Sequence, residues 1–264
     1  MNKFLSIVLL VVVLSSCSEY QKALKSEDVA VKYAAAEKMY EKGKYSKAIR
    51  LFEQMSSTFR GKPQAEKMYY MFSQSYYKTE QYRLSGYQFE SFVSGYPKSE
   101  KLEEASFLAA KSYSMLSPVY SLDQGETFKA IDKLQGFIDR FPDSQYIAEA
   151  NVSVKALREK IEKKVFENAK QYNKISDYKS ALIALDNFIS DYPGTPYKEA
   201  ALFYKLDSAY NLAVNSIPSK MEERLNSAKT AYNSLVKFNA NSEYKTKADE
   251  MLARIDTDLQ QFSK

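Results

Sequence analysis

The segment Gly43-Lys44-Tyr45-Ser46-Lys47-Ala48-Ile49-Arg50-Leu51-Phe52-Glu53-Gln54-Met55 reads as a turn that runs into one stripe of an α-helix. A small residue, Ala48, is followed by apolar residues four and seven positions on, the spacing that lines one face of a helix. Tyr82, Ser85, Phe89 and Phe92 repeat the pattern 37 residues later. It returns as Ala130, Leu134 and Phe137 before Phe141-Pro142, and as Tyr178, Ala181, Leu185 and Phe188 before Tyr192-Pro193.

Each stripe ends at an aromatic residue followed by proline, which cannot continue a helix. After the proline come Lys98-Ser99-Glu100, Asp143-Ser144-Gln145-Tyr146 and Gly194-Thr195-Pro196-Tyr197, and Asn241-Ser242-Glu243-Tyr244 repeats the signal near the end. These read as N-caps and first turns of the next helix. The preceding helices keep a small residue three before a large one, in Ala36-Met39, Ser73-Tyr76, Ala110-Tyr113 and Ala169-Tyr172. A small residue there lets a paired helix approach closely.

The spacing predicts five helix pairs, at about 28–61, 63–97, 99–142, 145–193 and 196–240, and a closing helix at about 243–262. Two irregularities stand out. Leu116 to Gly125 adds residues between the helices of the third pair, and loops that long often carry function. Residues 145–175 contain neither Pro nor Gly, which predicts a helix of about 30 residues, roughly 45 Å long, bridging the two halves of the stack.

The N-terminus reads as an address. Lys3 precedes an apolar run from Phe4 to Leu14, too short to cross a bilayer core of roughly 30 Å yet suited to a secretory signal. Cys17, the one cysteine, cannot close an intrachain disulfide. Residues 18–27 lack strong apolar periodicity and read as a short tether.

Composition narrows the function. The chain has 264 residues, 45% hydrophobic, with seven Gly, seven Pro and 22 Tyr. That is enough for a real core, and it favours helix over strand throughout. There is no His, which removes His-based acid–base catalysis, Ser–His triads and nearly every zinc site. The net charge of +5 is spread along the chain without a basic run, which gives nucleic-acid binding little support. Adjacent carboxylates at Glu103-Glu104 and Glu222-Glu223 diverge by about 100° on a helix and do not converge on a substrate. No Gly-rich phosphate loop is present. The expectation is a non-enzymatic chain with no cofactor, no metal site and no catalytic residues.

Three resemblances sharpen this reading. Leu14-Ser15-Ser16-Cys17 resembles the bacterial lipobox, which implies a signal peptide over 1–16, acylation of Cys17 and a lipidated tether over 17–27. Ser18, in place of the Asp that retains many lipoproteins in the inner membrane, implies the outer membrane. The helix pairs, opened by residues such as Tyr45 and Ala48 and ended at Pro97, Pro142 and Pro193, resemble the tetratricopeptide repeat. That family implies an all-α solenoid of antiparallel helix pairs with a concave binding face, three repeats in 28–142, and two repeats with a capping helix in 143–264.

On the first helices Tyr33, Glu37 and Tyr40 fall at i, i+4 and i+7, hence on one face. Tyr70, Gln74 and Tyr77 repeat them, and Phe107, Lys111 and Ser114 repeat them again. By the tetratricopeptide resemblance this face lines the groove, where aromatic and polar groups suit an extended peptide. The plainer reading is that the tyrosines pack between adjacent helices. Glu37, Gln74 and Lys111 between them favour the groove, because a buried seam does not favour such residues.

The segments Ser117-Pro118-Val119-Tyr120-Ser121-Leu122-Asp123-Gln124, Thr127-Phe128-Lys129-Ala130-Ile131 and Asp191-Tyr192-Pro193-Gly194-Thr195-Pro196 resemble the BamD family over nearly all the mature chain. The Lys- and Asn-rich stretch from Lys220 to Lys247 departs from it most. The resemblance implies a scaffold on the periplasmic face of the outer membrane that binds a BamA-like barrel subunit, other assembly-machine components and unfolded barrel precursors, which end in an aromatic residue. The competing expectation is a periplasmic tetratricopeptide lipoprotein serving peptidoglycan synthesis, pilus assembly or secretion.

Overall fold

The computed structural model describes residues 19–262, and Cys17 and the signal segment lie outside that range. The fold is all-α, with no strand among the described residues. Residues 19–25 form a short helix, α1. Five helix pairs follow: α2 (Val29–Glu41) with α3 (Tyr45–Phe59), α4 (Ala65–Lys78) with α5 (Tyr82–Gly95), α6 (Leu102–Ser114) with α7 (Gly125–Arg140), α8 (Ile147–Lys174) with α9 (Tyr178–Asp191), and α10 (Lys198–Val214) with α11 (Pro218–Phe238). Helix α12 (Lys245–Leu259) and a 3₁₀ turn (Gln260–Phe262) close the chain. All five pairs and the closing helix fall where the stripes predicted them.

The turn within a pair has a recurring backbone. Gly43, Glu80 and Ser176 each stand two residues before the tyrosine that opens the second helix, and each has φ near +60° (66°, 59° and 63°). The left-handed residue lets the next amide reach back: Lys44 N donates to Met39 O at 2.8 Å, Gln81 N to Tyr76 O at 3.0 Å, and Asp177 N to Tyr172 O at 2.9 Å. These bonds satisfy carbonyls that the helix end leaves unpaired.

The turn between pairs recurs too. The amides of Tyr96, Phe141 and Tyr192 close the second helices on Phe92, Phe137 and Phe188 at 2.8, 3.0 and 3.0 Å. In these turns the hydroxyl of Ser99, Ser144, Thr195 or Ser242 accepts from the amide two residues on. Those Ser and Thr residues, expected as N-caps, instead make a hydroxyl-closed turn, and the helices begin three residues later, at Leu102, Ile147, Lys198 and Lys245. The tyrosines in these turns stack on the first helix just passed: Tyr146 on Phe107 (4.6 Å, 7°), Tyr197 on Phe166 (5.6 Å, 10°) and Tyr244 on Phe203 (4.4 Å, 14°).

The small-before-large pairs sit where close packing needs them. Ala36, Met39, Ser73, Tyr76, Ala110, Tyr113 and Ala169 are buried. Tyr172 departs from the pattern at 42% exposure. Helices α5 and α6 approach closely: a Cβ on Gly86 would stand 3.2 Å from the Tyr113 ring, and Ser85 and Ser112 share a buried hydroxyl hydrogen bond of 3.0 Å. Tyr76 donates to Glu53 and Tyr113 to Glu90, both at 2.8 Å, so each first helix is tied to the second helix of the repeat before it.

Two expected boundaries move. The segment read as a tether begins, within the described residues, as helix α1, with Tyr20 and Ala23 4% and 1% exposed in the core of the first pair. Two buried residues are too few to register as periodicity. The described chain also forms two compact units, one reaching Pro118 and including Gln124–Leu157, the other formed by Val119–Asp123 and the chain from Arg158 onward. The division falls within α8 and not at residue 142, because Ala150, Val154 and Leu157 complete the core around Leu134 and Phe137, whereas Phe166 and Ala169 belong to the core around Leu185 and Phe188. The inserted loop is anchored at its tip in the second unit, where Lys163 lies over the Tyr120 ring and Lys164 donates to the carbonyl of Leu122.

Candidate peptide-binding site on the first helices

The predicted site residues lie on α2, α4 and α6, all in the first unit. The leading aromatic of each trio packs on the second helix of its own repeat. Tyr33 stacks on Phe59 at 5.1 Å and 17°, Tyr70 meets Phe92 edge-on at 5.6 Å, and Phe107 meets Phe137 at 5.4 Å. The closing tyrosines turn to the residue that opens the second helix: Tyr40 to Tyr45 at 5.6 Å and Tyr77 to Tyr82 at 5.7 Å, both edge-on.

Two of the polar residues in the middle of the trios link successive first helices. Glu37 pairs with Lys67 at 2.5 Å, from α2 to α4. Gln74 donates to the Tyr70 hydroxyl at 2.9 Å within α4. Lys111 pairs with Glu149, from α6 to α8. Burial, reinforced by Glu104, pushes the Tyr70 phenol well above its usual range. Burial also raises Tyr33, with Glu37 adding to it, and Tyr40, with Tyr45 adding to it. Burial alone would lower the Lys111 ammonium, but Glu149 and Tyr77 hold it above its ordinary value.

This corrects two of the expected groove residues. Phe107 and Gln74 are only 2% and 8% exposed, so neither presents a surface to a ligand. The expectation that a seam between helices would not hold Glu37, Gln74 and Lys111 fails for a physical reason: each polar group finds a partner, Glu37 and Lys111 on the next first helix and Gln74 on its own, which removes the cost of placing it there.

An open cleft of about 470 Å³ does lie on this face. Tyr40, Tyr70, Met71 and Phe92 form its apolar wall, and Lys67 and Lys101 stand at it with Glu41 and Glu66. Lys101 lies over the Tyr70 ring at 5.5 Å and pairs with Glu104 at 3.0 Å. Of the eight groove residues expected, Tyr40 and Tyr70 line this cleft. Lys67 was within reach of the sequence, since it shares a helical face with Tyr70, whereas Met71 stands about 100° round the helix from that tyrosine. Phe92 and Lys101 come from other elements and carry no such signal.

No group of His, Cys, Asp or Glu among the described residues could hold a metal ion. No described helix is long and apolar enough to cross a membrane. Cys17, the expected lipidation site, lies outside the described residues.

Comparison with known proteins extends these observations. The profile of the YfiO family, described as outer membrane lipoprotein, matches residues 25–225 and 160–262. The outer membrane protein assembly factor BamD of Rickettsia prowazekii (strain Madrid E) is 24% identical over 185 residues, covering 69% of this chain and 72% of that protein. The factor of the same name from Neisseria gonorrhoeae is 25% identical over 221 residues, 76% and 82% of the two chains. That of Haemophilus influenzae (strain ATCC 51907 / DSM 11121 / KW20 / Rd) is 21% identical over 241 residues, 87% and 92%. A solved structure of TPR-like repeats from a Podosopora anserina kinesin light chain aligns with 81% of this chain and 99% of its own, at 13% identity and a TM-score of 0.31. That score carries no argument, and the fold stands on the helix order and packing above. With the family profile spanning nearly the whole described chain, the protein belongs to the YfiO outer membrane lipoprotein family, to which its BamD relatives point as well.

Proposed function

We propose that this chain is a non-enzymatic assembly factor for outer-membrane proteins, anchored to the outer membrane by acylation of Cys17, with its folded part on the periplasmic face. In this reading the first helices receive the unfolded end of a barrel precursor, and the later repeats dock on a BamA-like barrel subunit. The relatives named as assembly factors support the role. The mechanism is recognition and positioning, with no covalent step.

The observation that carries the reading is the cleft walled by Tyr40, Tyr70, Met71 and Phe92. Its wall is aromatic and apolar, which suits the terminal aromatic side chain of a precursor. Burying such a ring yields about 1.5–3 kcal/mol, or tenfold and more in affinity. The cations contribute less, because Lys67 and Lys101 already have carboxylate partners in Glu37 and Glu104. A precursor carboxylate joins that network without meeting a bare charge.

The test is fluorescence anisotropy with short peptides of barrel-strand sequence. A peptide ending in Phe is expected to bind about tenfold tighter than the same peptide ending in Ser. Lys101→Glu is expected to weaken binding with little effect on melting, since its side chain is 54% exposed. Equal binding of the two peptides would remove the cleft from the mechanism. Recovery of a barrel subunit from detergent-solubilised envelope tests the docking half, and an eluate without one rejects it.

A further inference from the structure

The chain leaves the described fold at Glu19 through a collar of lysines. Glu19 pairs with Lys38 at 2.5 Å, and the charges of Lys42 and Lys22 also act on its carboxylate. Lys47 lies over the ring of Tyr20 at 5.0 Å. Lys44 stands in the same turn as Lys42, and its amide fastens that turn to α2 by donating to Met39 O. Lys22, Lys42 and Lys44 are exposed. Among the described residues, Lys22, Lys42, Lys44 and Lys47 form no salt bridge, and Glu41 is the acidic side chain next to this turn in sequence.

The position of the collar gives it a consequence. Helix α1 is docked into the core by Tyr20 and Ala23, so Glu19 belongs to the folded body and not to a loose arm. Two residues of chain span at most about 7 Å, so an anchor at Cys17 holds Glu19, beside which the collar stands, inside the screening length of about 8–10 Å in physiological salt. Within that distance, lysines respond to the charge of the bilayer surface.

We propose that Lys22, Lys42, Lys44 and Lys47 form a membrane-facing surface that rests on the anionic phosphates of the leaflet holding the anchor, so that the lipid fixes the orientation of the first repeat as well as its location. This rests on the acylation of Cys17 proposed above. The occupant is the phospholipid surface, by charge complementarity and by the two-residue link. The several acyl chains of a lipobox cysteine supply the attachment, which leaves the basic patch to act on orientation. Each basic side chain near an anionic surface tightens attachment by about fivefold.

The experiment uses the acylated protein, its lipid verified by intact mass, reconstituted into vesicles of phosphatidylcholine alone or with about one third phosphatidylglycerol. Lysine acetylation read by mass spectrometry reports accessibility, with the exposed Lys179 and Lys220 as references. Labelling of Lys22, Lys42, Lys44 and Lys47 is expected to fall about threefold or more in the anionic vesicles only, and to recover at roughly 0.5 M salt, while the references stay constant. In a variant with Lys22→Glu, Lys42→Glu and Lys44→Glu, acylated as the parent, the protection at Lys47 is expected to disappear. Equal labelling of the acylated protein in both vesicles overturns the proposal. Protection seen only in native envelope, and not in anionic vesicles, overturns it in favour of a protein partner. A chain without acyl mass on Cys17 overturns the anchor itself and the collar with it, a failure the mass measurement tells apart from the others.

Discussion

At Glu80 and Ser176 the backbone adopts φ of 59° and 63°, the conformation that the equivalent Gly43 holds at 66° without steric cost. A side chain in that region crowds the following carbonyl by roughly 1–2 kcal/mol, partly offset because glycine loses more freedom on folding. Glu80→Gly and Ser176→Gly are each expected to stabilise the protein by about 0.5–1 kcal/mol in urea unfolding. An unchanged or lowered midpoint would mean that local contacts of the side chain outweigh the strain. The same scale explains why part of the expected groove face, Phe107 and Gln74 above all, is packed between helices. The rings of Tyr33, Tyr70 and Phe107 are covered by Phe59, Phe92 and Phe137, which lie on other helices. The partners of Glu37 and Lys111 are Lys67 and Glu149, 30 and 38 residues further on. A helical face drawn from one segment contains neither kind of neighbour, so it displays as surface what the fold uses as a seam.

At the scale of the element, the Tyr113–Glu90 hydrogen bond makes a pH-dependent prediction. Burial first, then the hydrogen bond to Glu90, pushes the Tyr113 phenol up to about 12, against about 10 in an unfolded chain. A pKa raised on folding means that the folded state holds the proton more tightly. Its contribution is therefore complete below pH 10 and is lost as pH rises through about 12. Thermal midpoints are expected to fall between those limits, and Tyr113→Phe, which has no proton to lose there, to fall less steeply. Parallel slopes for the two proteins would separate this tyrosine from alkaline unfolding. The helices that carry such bonds were legible in sequence because stripes such as Ala48-Phe52-Met55 and stops such as Pro97, Pro142 and Pro193 act within a few residues. Helix α1 was not, since its burial rests on Tyr20 and Ala23 alone. Helix starts slipped by two or three residues where Ser99, Ser144, Thr195 and Ser242 use their hydroxyls to build a turn before the helix begins.

For the whole molecule the most consequential element is α8, 28 residues without an interruption. Its early residues Ala150, Val154 and Leu157 complete one core, and its later residues Phe166 and Ala169 complete another. A fragment of residues 19–142, cut at the proline that sequence marks as a boundary, lacks those three side chains and leaves Leu134 and Phe137 uncovered. Val154 and Leu157 each contribute about 1.5–3 kcal/mol on burial, so the shorter fragment is expected to bind a hydrophobic dye and resist sharp melting, whereas residues 19–158 melt cooperatively. Similar, sharp transitions from both fragments would mean that the third repeat closes without α8. If one unbroken helix is common property of two hydrophobic interiors, no loop among the described residues lies between them at which a protease, a recombination event or an engineer can part the two without wounding one. The two bodies are then bound to be inherited together.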